Sequence, residues 1–261
     1  MTIFEGIILG VVQGLTEFLP VSSSGHLIIT RQFFNSASYD ELLFDVLLHI
    51  ATLLVIVIYF RKDIYKILKS SLNLFNRAGD EKSHTLLFAI IIGSIPAVFF
   101  GFFFEDFISN QFRSIVSVSI ALILGSILFY IAERYATQTK ELSAKKGWWI
   151  GWFQALALIP GISRSGASIS GGLLLGLKRE EAARFSFLLA LPVFTGAGIK
   201  KILELESFST ITVSMIVGFV AAFVVGFIAI HFLIKYLKHN SLSVFIWYRV
   251  ILAFLLLVFF V

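Results

Sequence analysis

Apolar and polar positions in this chain are segregated on the length scale of a membrane span. Clean apolar stretches cover residues 43–60, 86–104, 115–133, 185–203, 211–234 and 244–261. Each can cross a hydrocarbon core about 30 Å thick as a helix, so six transmembrane helices are predicted. Two further apolar stretches, 3–34 and 148–177, are interrupted midway by Pro, Ser and Gly. Such breaks leave backbone groups unpaired at membrane depth, which is tolerated only where protein or a water-filled cavity surrounds them. Both therefore read as re-entrant helix–loop–helix hairpins. The first stretch has no basic leading segment and carries Glu5, Gln13 and Glu17, unlike a cleavable signal peptide.

The two interruptions are copies of each other. Gln13-Gly-Leu-Thr-Glu17-Phe-Leu-Pro20-Val-Ser22-Ser23-Ser24-Gly25-His26 aligns with Gln154-Ala-Leu-Ala-Leu-Ile-Pro160-Gly161-Ile-Ser163-Arg164-Ser165-Gly166 at a spacing of 141 residues. The same spacing pairs Gly10 with Gly151, and Leu47 and Leu48 with Leu188 and Leu189. An internal duplication follows, with one repeat over about 1–134 and the other over about 142–261. Each repeat is a hairpin plus three spans, and an odd number of spans inverts the second copy. Inverted repeats bring their broken helices together near the midplane, half-helix N-termini pointing at a bound anion. The predicted fold is thus all-α: a single polytopic membrane domain over 1–261 with inverted-topology repeats. The copies differ where chemistry would sit. The first has Glu17, Ser23 and His26 where the second has Leu158, Arg164 and Ala167.

Composition sharpens this picture. With 58% hydrophobic and only 14% charged residues, the chain lacks the polar surface of a soluble domain. The absence of cysteine excludes disulfides, thiolate catalysis and cysteine-containing metal sites. Lys and Arg cluster at 61–84, 134–147, 178–184 and 235–238, the first of these with a short amphipathic helix. Hairpins that return to the side they entered place all four clusters on one face, read as cytoplasmic. The turns near 105–114 and 204–210 then lie on the other face with both termini. Anionic lipid headgroups are the expected partners of the basic loops, and no nucleic-acid role is expected of them.

Candidate chemistry concentrates in the broken helices. Glu17 stands one turn before Pro20 on the helical face of Gln13, where a carboxylate costs several kcal/mol unless paired or wetted by a cavity. Ser22, Ser23, Ser24 and Gly25 open the second helix of the hairpin, and a helix N-terminus binds phosphate through free N–H groups and its dipole. One of these serines is accounted for as an N-cap. Ser163, Ser165 and Gly166 repeat the arrangement around Arg164, whose guanidinium suits bidentate contact with phosphate oxygens. Together these groups describe a site for a phosphorylated anion and suffice for phosphoryl transfer. Beside such an anion Glu17 must be either protonated or bridged by a divalent cation, which would be held by the carboxylate (with Gln13 as a second donor) and by phosphate oxygens. Three attacking groups fit: Ser23 with His26 as base, His26 itself, or an activated water. Ser23 is favoured by its place at the turn. Asp45 and His49 lie at i, i+4 in the first span and read as a local pair at the membrane interface, with a place flanking the site mouth as the alternative. Arg249 stands inside the last span without an evident partner, and Pro96 and Pro192 are expected to kink their helices.

The paired motifs, Gln13 to His26 and Pro160 to Gly166, resemble those of the undecaprenyl-diphosphatase family, also called bacitracin-resistance proteins. The resemblance extends over length and span pattern. It implies a bacterial cytoplasmic-membrane enzyme, active at the outer face, that removes the terminal phosphate of undecaprenyl diphosphate. That reaction recycles the lipid carrier of cell-wall synthesis and confers bacitracin resistance. It further implies a divalent cation, Mg²⁺ or Ca²⁺, a nucleophilic Ser23, a catalytic His26 and a phosphate-binding Arg164. Ser22, Ser163 and Ser165 match supporting hydroxyls, and a homodimer is compatible with such a chain. Gln13 stands where many members carry a second Glu, and Asp45 and His49 where members more often carry Glu and Gln. A polyprenyl-phosphate transporter or flippase would use the same anion site and is the competing expectation.

Overall fold

The computed structural model describes residues 1–34, 41–72, 81–203 and 211–260, which form eleven helices and no strand. The first hairpin is α1 (Ile3–Phe18) and α2 (Ser23–Gln32), followed by α3 (Glu41–Tyr59), α4 (Arg61–Leu72), α5 (Glu81–Gln111) and α6 (Ile115–Tyr135). The second hairpin is α7 (Ala144–Leu156) and α8 (Arg164–Leu174), followed by α9 (Arg179–Leu203), α10 (Val213–Leu237) and α11 (Ser243–Phe260). Helices α3, α5, α6, α9, α10 and α11 are the six long and apolar enough to span a membrane. Thr2 and Glu5 form a capping box that starts α1, and the helix ends at Leu19, just before Pro20.

Two expectations change in detail. The turn predicted over 105–114 is mostly helix, because α5 continues to Gln111 and only 112–114 connect it to α6. Arg164, expected in a loop, is the first residue of α8. The other predicted turn, 204–210, lies outside the described residues. Pro96 and Pro192 sit inside α5 and α9 as anticipated.

The hairpins are anchored by unusually close helix pairs. Gly6, Gly10 and Gly14 recur every fourth residue along α1 and press on the backbone of α10 at Ser214, Gly218 and Ala222. A methyl group added at Gly14 would lie 2.7 Å from the Ala222 carbonyl oxygen. Helix α7 repeats the arrangement on α5, with Gly147 over Ala89 and Gly151 over Gly93. Small residues at this spacing let membrane helices approach until their backbones touch. Further pairs join α3 to α9 and to α10, α5 to α9, and α6 to α11, while α8 packs on α6, α7 and α9. Exchanging the two halves maps the α1–α10 pair onto α7–α5, and α3–α10 onto α9–α5.

The loop ends carrying the basic clusters meet on one face. Arg179 pairs with Glu133, Arg184 with Asp63, and Lys238 with Glu180 at 3.1 Å. Glu133 also accepts from the Leu242 N–H at 2.8 Å. On the same face α4 exposes Tyr65, Leu68 and Leu72 beside its lysines, the amphipathic helix anticipated within 61–84.

Candidate active site

Both hairpin loops are built the same way. Ser22 (φ 79°) and Ser163 (φ 78°) each adopt a backbone conformation that residues other than glycine rarely take. Such a conformation costs about 1–3 kcal/mol and persists only where surrounding contacts enforce it. Each serine caps the following helix: Ser22 Oγ accepts from Gly25 N–H at 3.4 Å, and Ser163 Oγ accepts from Gly166 N–H at 3.3 Å. The loops are then tied to each other. Ser22 Oγ accepts from Gly161 N–H at 3.1 Å, and Ser165 Oγ donates to the Leu19 carbonyl at 3.4 Å. The converse of the first tie cannot form, because Pro20 stands at Gly161's counterpart and has no N–H.

Arg249 locks the second loop from behind. It is fully buried, and its guanidinium donates to Gly161 O at 2.9 Å, Leu122 O at 3.1 Å and Ser126 Oγ at 3.2 Å. The charge also lies 4.7 Å from the centre of the Phe129 ring. Neutral acceptors and an aromatic face thus hold this cation.

The polar cluster forms where α1, α2, α8 and α9 converge. Glu17 is 5% exposed and receives three donors. Arg164 Nη2 donates to Oε1 at 3.1 Å, while Ser23 Oγ at 2.7 Å and Gln13 Nε2 at 3.2 Å donate to Oε2. Arg164 Nη1 donates to the Ser186 carbonyl at 3.3 Å, and the guanidinium lies 4.7 Å from the Phe194 ring. An ion pair this deep survives because each partner has further hydrogen bonds. Gln13 Oε1 and Arg164 Nε are buried without partners. Gln154, the counterpart of Gln13, is buried with neither amide atom partnered, since Leu158 stands where Glu17 would be.

A cavity of about 650 Å³ opens beside this cluster. Gln13, Ser23 and Ser24 supply its inner polar wall, and Leu27, Ile28, Val98, Phe102, Leu158 and Val193 its apolar walls. It runs toward the C-terminal ends of α5 and α9, where Ile108, Arg113, Lys200 and Leu203 line it. A polar end and a long apolar wall suit an amphiphile with an anionic head.

The sequence-predicted residues divide into two groups. Gln13, Glu17, Ser23 and Arg164 meet in one cluster, with Ser24 on the adjoining cavity. Ser22, Gly25, Ser163, Ser165 and Gly166 shape the loops instead. The N–H groups of both glycines are already engaged by the cap hydroxyls, and a methyl at Gly166 would strike the Phe129 ring.

His26 differs from expectation. Its Nδ1 lies 2.7 Å from the Ser22 carbonyl and its Nε2 2.7 Å from Tyr248 Oη. Neither contact is to Ser23, whose hydroxyl donates instead to Glu17 Oε2 at 2.7 Å. The reason is local: one helical turn separates His26 from the Ser22 carbonyl, which captures the ring, and α11 supplies Tyr248 on its far side. Tyr248, Ser186 and Phe194 went unread in the sequence. Only Tyr248, beside Arg249 in an apolar span, offered a signal there. Asp45 pairs with Arg31 of α2, and His49 lines the cavity.

An acid, a guanidinium and a hydroxyl held together among membrane-spanning helices, beside an apolar-walled cavity, make an arrangement chemically suited to a lipid-borne anion. The sequence matches the family described as bacitracin resistance protein BacA over residues 6–255. Relatives named undecaprenyl-diphosphatase include that of Moorella thermoacetica, 41% identical, covering 98% of this chain and 97% of its own. Those of Caldicellulosiruptor bescii (40% identical, 100% of this chain and 98% of its own) and Desulforudis audaxviator (38%, 99% and 98%) match equally fully. The chain belongs to the bacitracin resistance protein BacA family.

Proposed function

We infer that this protein hydrolyses undecaprenyl diphosphate to undecaprenyl phosphate and inorganic phosphate, renewing the lipid carrier of cell-wall synthesis. The carrying observation is the Arg164–Glu17–Ser23 cluster at the polar end of an apolar-walled cavity. Full-length relatives bear the name of this activity. A carrier or flippase would need the anion site but not a hydroxyl hydrogen-bonded to a carboxylate.

In this reading the diphosphate lies against the first turns of α2 and α8. The N–H groups of Ser23, Ser24, Arg164 and Ser165 there have no intrahelical acceptor. Arg164 binds the terminal phosphate, using the Nε that is now without a partner. Ser23 Oγ attacks the terminal phosphorus, its proton passes to Glu17 Oε2, and the bond from phosphorus to the bridging oxygen breaks. Undecaprenyl phosphate leaves, and water then releases phosphate from the serine. His26 supports the loop through the Ser22 carbonyl.

The donor set fits a divalent cation shared with the substrate. Glu17 is the one carboxylate of the cluster, and the orphaned Gln13 Oε1 is a hard oxygen donor beside it. No group of three or more His, Asp or Glu capable of holding a metal exists among the described residues. Mg²⁺ is commonly held in this way, by few protein oxygens plus phosphate. When bound, Mg²⁺ or Ca²⁺ would neutralise charge on the phosphate oxygens.

The orientation follows from the basic ends. The cavity lining reaches the C-terminal ends of α5 and α9, and the basic clusters lie at their N-terminal ends. Lys/Arg excess marks the cytoplasmic side, so the cavity opens to the outer face of a bacterial cytoplasmic membrane. The matched helix pairs of the two halves support inverted-topology repeats.

Phosphate release from undecaprenyl diphosphate in detergent, without any gradient, tests the reading. Turnover that is lost in the Arg164 and Glu17 variants is expected. Binding of the lipid without phosphate release, by folded protein supplied with Mg²⁺ or Ca²⁺, would assign the chain to carriers instead.

A further inference from the structure

Two imidazoles lie near the cluster, and their surroundings differ. His26 has both ring nitrogens engaged, by the Ser22 carbonyl and by Tyr248, and is absent from the cavity lining. His49, on α3, lines the cavity together with Gln13 and Ser23. Its Nδ1 lies 2.8 Å from the Asp45 carbonyl oxygen. A carbonyl only accepts, so Nδ1 carries a proton and the tautomer is fixed. Nε2 has no hydrogen-bond partner among the described residues.

The ring is also fixed in place. His49 packs edge-on against Phe194 at 6.2 Å between centroids, and Phe194 is the ring on which the Arg164 guanidinium lies. One aromatic side chain therefore positions both a guanidinium and an imidazole. His49 is also within Coulombic reach of Glu17. Asp45, whose carbonyl holds the ring, is itself held by its ion pair with Arg31.

We propose that Nε2 of His49 hydrogen-bonds a phosphate oxygen of the lipid diphosphate, which makes His49 a substrate-contacting residue of the cavity wall. The proposal rests on the cavity being the diphosphate site. Either partner can supply the proton of that bond, since a phosphate oxygen accepts and a protonated phosphate donates.

The geometry provides a sharp test. Glutamine places its amide nitrogen near the position of Nε2, whereas asparagine places its own near Nδ1. Full-length protein in detergent with Mg²⁺ is assayed for kcat/KM on a short prenyl diphosphate, and for Kd of a methylene-bridged, non-hydrolysable prenyl diphosphonate. His49→Gln is expected to stay within about threefold of wild type, and His49→Asn and His49→Leu to lose about tenfold or more on both readouts. That is the scale of one hydrogen bond to a charged group. Thermal midpoints identify any variant that has not folded; if His49→Leu fails, the Gln and Asn pair still decides. Wild-type behaviour of Asn with impairment of Gln would assign His49 to its strut on the Asp45 carbonyl and overturn the proposal. Wild-type behaviour of all three variants would overturn it as well. If wild type neither binds the diphosphonate nor releases phosphate, the functional reading itself falls.

Discussion

Arg164 donates through Nη2 to Oε1 of Glu17 at 3.1 Å, and this contact joins a helix tip from each half of the chain. The same guanidinium serves the Ser186 carbonyl and lies over the Phe194 ring. A lysine ammonium preserves the charge but cannot make the forked contact or stack on the ring. Arg164→Lys is therefore expected to fold yet lose about 100-fold in kcat/KM, the worth of a bidentate charged contact. Phosphate release in detergent checks this, and a near-wild-type rate would show Arg164 to be structural.

Ser23 and Glu17 form a hydroxyl–carboxylate pair at 2.7 Å. Under the proposed mechanism, removing either member removes the attacking oxygen or its proton acceptor. Ser23→Ala and Glu17→Gln are each expected to reduce turnover by about 10²–10⁴-fold, the usual range for such groups. Single-turnover phosphate release on both variants measures it. Full activity in Ser23→Ala would leave water as the attacking group.

Much of this architecture was legible in the chain. Span lengths gave the long helices, and the 141-residue spacing of the two interrupted stretches pointed to paired hairpin tips, where Glu17, Ser23 and Arg164 meet. What remained hidden depends on side-chain direction across long separations. Nothing in the spacing of Ser23 and His26 reveals that the imidazole turns toward Tyr248, 222 residues away. Arg249 was visible as an anomaly in an apolar span, but two of its three acceptors are backbone carbonyls, which carry no sequence signature. His49 reads as half of a local pair until α9 brings Phe194 against it.

Arg249 carries a prediction of its own, because three of its hydrogen bonds end on α6 and the second loop. Arg249→Leu removes charged bonds to Gly161, Leu122 and Ser126, each worth about 1.5–3 kcal/mol. The variant is expected to melt several degrees lower in detergent and to lose activity through a loosened Gly161 loop. Arg249→Lys should rescue little, since one ammonium on a flexible stem cannot span those acceptors. A thermal midpoint unchanged in Arg249→Leu would contradict this.

The glycine seams predict where bulk is forbidden. Gly10 faces the Gly218 backbone and Gly151 that of Gly93, so either side chain would have to displace a helix. Gly10→Leu and Gly151→Leu are each expected to cost at least about 3 kcal/mol, the upper range of overpacking, and to abolish activity. Gly196, which has nothing within 4 Å of an added methyl, provides the control: Gly196→Ala should leave the thermal midpoint in place or raise it.

Gln13 offers the most direct probe of the cation. Its Oε1 is buried, unpartnered and carried on the turn that presents Glu17, an arrangement that leaves a desolvated acceptor uncompensated unless something positive meets it. If a divalent cation bridges Glu17, Gln13 and the phosphates, Gln13→Leu removes one oxygen donor while sparing the ion pair with Arg164. The Mg²⁺ concentration for half-maximal phosphate release should then rise by about tenfold, as expected for one neutral ligand. Gln13→Glu should lower it, because a second carboxylate strengthens the site. Chelation with EDTA should stop turnover in all three proteins and metal addition should restore it. Identical metal dependence in wild type and Gln13→Leu would remove Gln13 from the cation's ligands.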